Sequence, residues 1–361
     1  KEVLELSIGK KKEWNGIPVD GVTADGWLRE VLDNVMGKEK MELLDQPDNF
    51  KGSLREYQKS GFTWLEFMYK WKLGACLADD MGLGKTIQTL AFLQRRFLLK
   101  ETKPTLLVCP TSVINNWRKE IQKFTPDLSV LVHHGLNRTK GSDFTQALEN
   151  KFIVITSYQL LQRDISFLHT VPWAGIIIDE AQNIKNPDTI QSKAVRSLKG
   201  GYKIALTGTP IENHVGDLWS IMEFLNPGLL GTQYGFKEEF YKPIQMCQSI
   251  EKANRLRNIT SPFIMRRVKT DKSIIADLPD KIETKEYCSL TKEQISLYKA
   301  LTNELKTQLQ TSRGFARKGL VLTMLTKLKQ VMNAEFNIDY IASQASPIML
   351  WKHAEEVQRK K

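Results

Sequence analysis

The sequence predicts an α/β fold, a parallel β-sheet with helices on both of its faces. Three observations carry that prediction. Between about residues 73 and 226, six short apolar runs alternate with longer amphipathic stretches. A glycine-rich turn follows the first run and opens a helical stretch. An Asp-Glu pair closes the fifth run. Strands that are apolar throughout are covered on both sides, and their alternation with helices is the pattern of parallel crossover units.

The predicted strands are residues 73–78, 105–109, 129–133, 152–156, 174–178 and 202–206. Helical spacing of apolar residues fills most of the gaps, at 85–99, 113–124, 189–198 and 217–225. Upstream, residues 1–50 hold a basic run (Lys10, Lys11, Lys12), a loop with Pro18 and Gly21, and a short helical pattern near 27–36. After Pro227 the pattern changes. No clean strand–helix alternation runs between 236 and 276, whereas 292–311 and 317–332 read as helices. The main strand candidate in that half is 282–287.

The 361 residues are 41% apolar and 26% charged, which excludes a wholly disordered or collagen-like chain. At ~150 residues per domain the length suggests two or three domains. No apolar run approaches the roughly 18–20 residues of a membrane span. The net charge of +11 is uneven, with 31 basic and 29 acidic side chains up to residue 250 and 21 and 12 beyond it. A basic stretch beside a near-neutral body fits a polyanion partner, or a solvated lysine-rich face. Cys76, Cys109, Cys247 and Cys288 are too far apart for a CxxC zinc or redox pair, and such scattered thiols fit a reduced, cytoplasmic setting. His133 and His134 have no partner at metal-ligand spacing and receive no role.

The glycine-rich turn reads Ala78-Asp79-Asp80-Met81-Gly82-Leu83-Gly84-Lys85-Thr86. A phosphate needs backbone N–H donors at close range, the positive end of a helix, a lysine for the β/γ oxygens and a hydroxyl for magnesium. Gly82, Gly84, Lys85 and Thr86 supply these. Asp79 stands where the motif's first glycine usually is. The second signal is Ile176-Ile177-Ile178 followed by Asp179-Glu180-Ala181-Gln182. A carboxylate at the C-terminal end of a parallel strand lies on the ligand side of the sheet. Asp179 can hold the magnesium there, and Glu180 can orient and deprotonate an attacking water. Taken singly, each segment also reads as a turn or as solvated acids beginning a helix. Together they read as a nucleotide site.

These two segments resemble the superfamily-two helicase-like ATPases, and more narrowly the Swi/Snf-type DNA translocases. Leu54-Arg55-Glu56-Tyr57-Gln58 is similar to that family's glutamine motif. A Gln amide donates and accepts at once and can read the N6/N7 edge of adenine, so Gln58 implies ATP over GTP. The 110–117 segment Pro-Thr-Ser-Val-Ile-Asn-Asn-Trp and Thr156-Ser157-Tyr158 resemble segments that touch the DNA backbone. The 206–213 segment Leu-Thr-Gly-Thr-Pro-Ile-Glu-Asn resembles the one coupling the nucleotide site to DNA movement. Residues 262–267 and 278–283 resemble the passage toward a second lobe.

The resemblance implies a RecA-like first lobe that hydrolyses ATP with Mg2+. It implies Lys85, Asp179 and Glu180 as the catalytic residues. Gln58, Asp80, Gly82, Gly84, Lys85 and Thr86 would hold nucleotide, with Thr86 and Asp179 on the metal. Gln182, Thr207 and Thr209 would couple. Thr111, Asn116, Thr156, Ser157, Tyr158, Arg266 and Arg267 would meet double-stranded DNA. The expected organisation is an extension (1–50), the RecA-like lobe (51–235), a helical insertion or linker (236–280), and a helical region with the opening of an incomplete second lobe (281–361). A second RecA-like lobe outside these residues, DNA-bound proteins as partners, and a cytoplasmic, nucleoid-associated location are further expectations.

Bland readings stand beside these. Gln58 alone would be a surface residue, Trp117 and Trp219 core packing, and Arg266, Arg267 and Lys269 a solvated cluster. After Asn333 the resemblance fades, because Ala334-Glu335 stand where the family has His-Pro. No Gln-x-x-x-Arg-x-x-Arg-x-Gly-Gln pattern occurs in residues 283–361. Rival functions are a strand-separating helicase or restriction-type motor, which would use the same lobe, and a non-catalytic nucleotide-gated DNA-binding module. A GTPase would need an Asn-Lys-x-Asp guanine motif.

Overall fold

Seven parallel strands form one sheet: β1 (Ala75–Leu77), β2 (Thr105–Cys109), β3 (Val130–His133), β4 (Ile153–Ser157), β5 (Trp173–Asp179), β6 (Gly200–Leu206) and β7 (Ile264–Met265). Their spatial order is β3-β4-β2-β5-β6-β1-β7. The computed structural model describes residues 13–14, 17–18, 29, 33, 41–208, 215–271, 290–311 and 314–333. The chain divides into two units between Asp280 and Lys281, and the sheet belongs to the first. All six predicted strands are present, with ends moved by at most two residues. The seventh lies inside the 236–276 stretch, where no strand was expected. Two residues are too few to leave a periodic signal, and β7 exists because it pairs with β1 through Cys76↔Ile264 and Leu77↔Met265.

Helices α1 (Glu56–Lys70), α2 (Lys85–Leu98), α3 (Ile114–Phe124), α4 (Gly141–Ala147), α5 (Tyr158–Leu168), α6 (Ile190–Ser197), α7 (Gly216–Leu225) and α8 (Ile250–Thr260) belong to the same unit. Between α7 and α8, Lys237–Tyr241 is a turn of π-helix. Several helix starts are written in the sequence as side-chain caps. Ser157 Oγ accepts from the Leu160 N–H before α5, and Thr189 Oγ1 accepts from Ser192 before α6.

The core explains why the strands read as continuous apolar runs. Leu107 pairs with Ile155 on one side and Ile177 on the other, and all three are fully buried. Burying each such side chain is worth about 1.5–3 kcal/mol. Gly175 is needed in β5 because a Cβ there would overlap the Tyr202 ring, whose hydroxyl bonds Thr105 Oγ1 at 2.6 Å.

Register sets up the site. Met265, Leu77, Leu206 and Asp179 are successive partners across β7, β1, β6 and β5. The segments that follow these four residues therefore leave the same sheet edge side by side.

The second unit contains α9 (Lys292–Thr311) and α10 (Gly314–Asn333), packed through Leu301, Met324 and Val331. Near the N-terminus, Glu13–Trp14 pairs with Ile17–Pro18, so Pro18 sits in a short ladder where a loop was expected. Of the helical pattern at 27–36, residues 29 and 33 are described; both are helical, with an Arg29–Asp33 ion pair at 3.5 Å. The strand candidate at 282–287 lies outside the described residues. No helix among the described residues is long and apolar enough to cross a membrane.

Candidate nucleotide-binding site

The phosphate loop spans the gap between β1 and α2. Gly82 and Gly84 have φ of +83° and +80°, a region that side chains other than glycine enter only with strain. At Gly84 a Cβ would also sit 2.5 Å from Gln58 Nε2. Gln88 Nε2 donates to the carbonyls of Leu83 (3.3 Å) and Gly84 (3.2 Å). These bonds turn two loop carbonyls away from the start of α2, where an anion would meet backbone N–H groups. Lys85 Nζ lies across the loop, donating to the carbonyls of Asp79 (2.6 Å) and Asp80 (3.4 Å). Burial pushes its pKa below the usual lysine range, while Asp79, Glu180, Asp179 and Asp80 pull it back up. Those four carboxylates lie close enough to act on one ammonium, which puts both motifs at one site. Thr86 is half-buried beside it.

Asp179 ends β5. Its Oδ2 accepts from Trp117 Nε1 at 2.7 Å and its Oδ1 from the Glu180 N–H at 2.8 Å. Burial raises its pKa, a shift opposed chiefly by the Trp117 hydrogen bond. Glu180 has φ +51° and ψ +58°. A non-glycine residue in that region costs on the order of 1–3 kcal/mol, and such strain gathers at functional sites. Glu180 Oε2 accepts from Gln182 Nε2 at 2.7 Å, and Gln182 Oε1 accepts from Thr207 Oγ1 at 2.9 Å. Thr207 N–H in turn donates to the Leu77 carbonyl, immediately before the phosphate loop. A hydrogen-bonded path thus runs from Glu180 across β6 to the end of β1.

Thr86 and Asp179 offer hard oxygen donors, and magnesium at nucleotide sites takes one or two protein oxygens plus substrate phosphates. Among the described residues no group of three or more His, Cys, Asp or Glu forms an all-protein metal cage. The two oxygen donors of Thr86 and Asp179 fit a magnesium that comes with a nucleotide.

The remaining expected residues divide. Gln58 is buried beside the loop, its Oε1 capping α1 at the Arg55 N–H (3.0 Å) and its Nε2 within 3.4 Å of the Leu83 carbonyl. Asp80 Oδ2 accepts from the Lys269 N–H at 3.1 Å. Thr111, Asn116 and Arg266 are exposed. Thr209 lies outside the described residues.

Four side chains expected to touch DNA are turned inward instead. Thr156 Oγ1 donates to the His133 carbonyl at 3.2 Å, Ser157 caps α5, and the Tyr158 hydroxyl donates to the Asp179 carbonyl at 2.7 Å. Because α5 begins directly at the end of β4, these side chains seal the sheet edge, and only their backbone is left for a phosphate. Arg267 is 6% exposed and ion-paired to Asp79, because strand alternation after β7 sends Arg266 out and Arg267 in. Trp117 and Trp219 are buried, as packing residues should be. Sequence reasoning missed the Trp117 bond to Asp179. The available signal was that a buried indole N–H needs an acceptor, and α3 follows β2, the neighbour of β5.

A parallel sheet with a phosphate loop after one strand and an Asp-Glu pair at the end of a nearby one defines a RecA-like lobe of the P-loop nucleotide-binding class. The pattern of the SNF2-related domain matches residues 57–337, and the chain belongs to that family. A Bacillus subtilis protein named as an ATP-dependent helicase/translocase, YwqA, is 44% identical over 305 residues, covering 84% of this chain and 33% of its own length. The ISWI chromatin-remodeling complex ATPase ISW2 of Saccharomyces cerevisiae is 35% identical, covering 82% of this chain and 26% of its own. A solved structure, the Sulfolobus solfataricus SWI2/SNF2 ATPase core in complex with dsDNA, is 50% identical with a TM-score of 0.61, covering 81% of this chain and 60% of that one. The chain thus spans about a third or less of these two curated relatives.

Proposed function

We propose that this chain is the first RecA-like lobe of a Swi/Snf-type motor that hydrolyses ATP, translocates along double-stranded DNA and remodels protein–DNA complexes. The observation that carries the reading is the gathering of Lys85, Asp179 and Glu180 on one sheet edge, with Glu180 linked through Gln182 to Thr207. Lys85 is drawn onto the β/γ-phosphate oxygens, exchanging the Asp79 and Asp80 carbonyls for phosphate. Thr86 and Asp179 would hold the magnesium, whose charge would offset that of the transferring phosphoryl group. Glu180 accepts the proton of the attacking water, and Gln182 fixes the carboxylate oxygen that does not take it. The bond from Gln182 to Thr207 makes the state of Glu180 felt at the end of β6, where the coupling segment begins.

Duplex DNA would meet the exposed Thr111, Asn116 and Arg266 together with the backbone at 156–158. Such contacts go to phosphates, carry little sequence preference and weaken steeply with salt. The relatives named above support this reading, one by its complex with dsDNA and one by its name as a chromatin remodeller. The intact Lys85, Asp179 and Glu180 argue against a non-catalytic module. The location that follows is cytoplasmic and nucleoid-associated.

Two measurements test the reading. The first is displacement of a triplex strand beside separation of a duplex, in the chain extended by its second lobe. Triplex displacement without strand separation is expected; efficient strand separation would favour the unwinding helicase. The second concerns the base. ATP should bind more tightly than GTP, and Gln58→Ala should erase most of that preference. Equal affinity of the parent chain for the two nucleotides would remove the adenine role from Gln58.

A further inference from the structure

The phosphate loop of this chain carries an acid where a glycine is usual, and that acid is buried. Asp79 has no exposed surface, yet it lies directly under Lys85, whose ammonium donates to the Asp79 carbonyl. Of the carboxylates that draw on Lys85, Asp79 acts most strongly. An unpaired carboxylate there would draw the lysine inward and repel an incoming triphosphate.

Asp79 is not unpaired, because Arg267 meets it. Its Nε donates to Asp79 Oδ1 at 2.9 Å, its Nη2 pairs with Oδ2, and its own backbone N–H donates to Oδ1 at 3.1 Å. This is the fork geometry in which arginine meets a carboxylate with two bonds. The rest of the guanidinium is also engaged. Nη1 donates to the Tyr57 carbonyl and Nη2 to Gln88 Oε1 at 2.6 Å. Gln88 is the residue that ties down the Leu83 and Gly84 carbonyls, so the network reaches both ends of the loop. Gly61 on α1 makes room for it, since a Cβ there would collide with the Gln88 amide and crowd Arg267. The backbone adds two more ties beside the ion pair, from Asp80 N–H to the Arg267 carbonyl at 3.0 Å and from Lys269 N–H to Asp80 Oδ2 at 3.1 Å.

Building on the nucleotide reading above, we infer that Arg267 is a positioning residue of the nucleotide site. It neutralises and orients Asp79, so that Lys85 remains available to the phosphates of ATP. Arg267 touches no nucleotide itself; it acts through Asp79. The demand for Arg267 therefore comes from Asp79, and removing both should remove the demand.

The test is Mg–ATP affinity, measured by calorimetric titration of the 361-residue chain and three variants. Arg267→Met should weaken binding about tenfold or more, the scale of losing hydrogen bonds to a charged group. Arg267→Lys, which keeps charge but loses the fork, should fall between. Asp79→Gly with Arg267→Met should return to within about threefold of the parent, because replacing both partners of a buried pair leaves no stranded charge. Adenosine, which has no phosphates, should bind all four alike. Melting curves accompany each titration, and the comparison of Arg267→Lys with the double variant still decides the matter if Arg267→Met does not fold. Undiminished ATP binding by the single variants, or a double variant as weak as Arg267→Met with a native melting curve, would overturn the role of Arg267 and leave the nucleotide reading standing. A parent chain that binds no Mg–ATP would overturn the nucleotide reading and the role of Arg267 with it.

Discussion

Glu180→Gln, in the chain extended by its second lobe and supplied with duplex DNA, should keep ATP affinity within a few-fold of the parent and lower turnover by roughly 10²-fold or more. The amide preserves size, and its oxygen can still accept from Gln182, so the path to Thr207 survives. Only the ability to take a proton is lost. The neighbouring carboxylate is a poor substitute. Both oxygens of Asp179 already accept hydrogen bonds, from Trp117 and from the Glu180 N–H. The two parameters separate the outcomes. Near-normal turnover would mean that another group activates the water. A collapse of affinity with unchanged turnover at saturation would mean that Glu180 serves Lys85 electrostatically and not as a base. The left-handed backbone at Glu180 sharpens the expectation, since the fold holds that residue in an unfavourable conformation that a merely solvated acid would not require.

Much of this site was legible because it is local in sequence. The phosphate loop is one stretch of nine residues whose glycines are demanded by backbone geometry, and the observed φ values at Gly82 and Gly84 are that demand realised. The six strands were legible because burial on both faces leaves runs such as Ile176-Ile177-Ile178 with no other reading at their spacing. What was not legible is what depends on partners far away in the chain. β7 is a strand only because β1 offers it an edge, and the Arg267 that follows it bonds Asp79, 188 residues upstream. Arg267 read as a surface cation because charge suggests solvent. Its burial follows from the acid at position 79, a pairing that no spacing rule reveals. The same holds for Thr156, Ser157 and Tyr158. Their motif was recognisable, but which atoms it turns outward depends on how tightly α5 follows β4. A motif fixes the backbone's place more firmly than it fixes the direction of each side chain.

The same geometry bears on how much chemistry the chain performs by itself. The 361-residue chain should bind Mg–ATP but turn it over poorly even with DNA present, and joining a second lobe should raise the rate by roughly 10³–10⁵, the range an arginine finger supplies. Transfer of a phosphoryl group concentrates negative charge on its equatorial oxygens, and positive charge must meet it from more than one side. On this side the site offers Lys85, and its neighbour Arg267 is already committed to Asp79. Met81 and Gly82 of the phosphate loop are exposed on this side, where a second lobe would cover them. A Gln-x-x-x-Arg-x-x-Arg-x-Gly-Gln segment is the expected source of the missing cation, and residues 283–361 do not contain it. The comparison is steady-state hydrolysis, with and without duplex DNA, for the chain alone, for the chain with the second lobe, and for the latter with the finger arginine replaced by alanine. The expected order is slow, fast and slow, with similar ATP affinity in all three. DNA-stimulated turnover by the chain alone, at the rate of the two-lobed protein, would mean that the cation comes from within these residues or from a neighbouring copy. A dependence of that rate on the square of the protein concentration would then single out the neighbour.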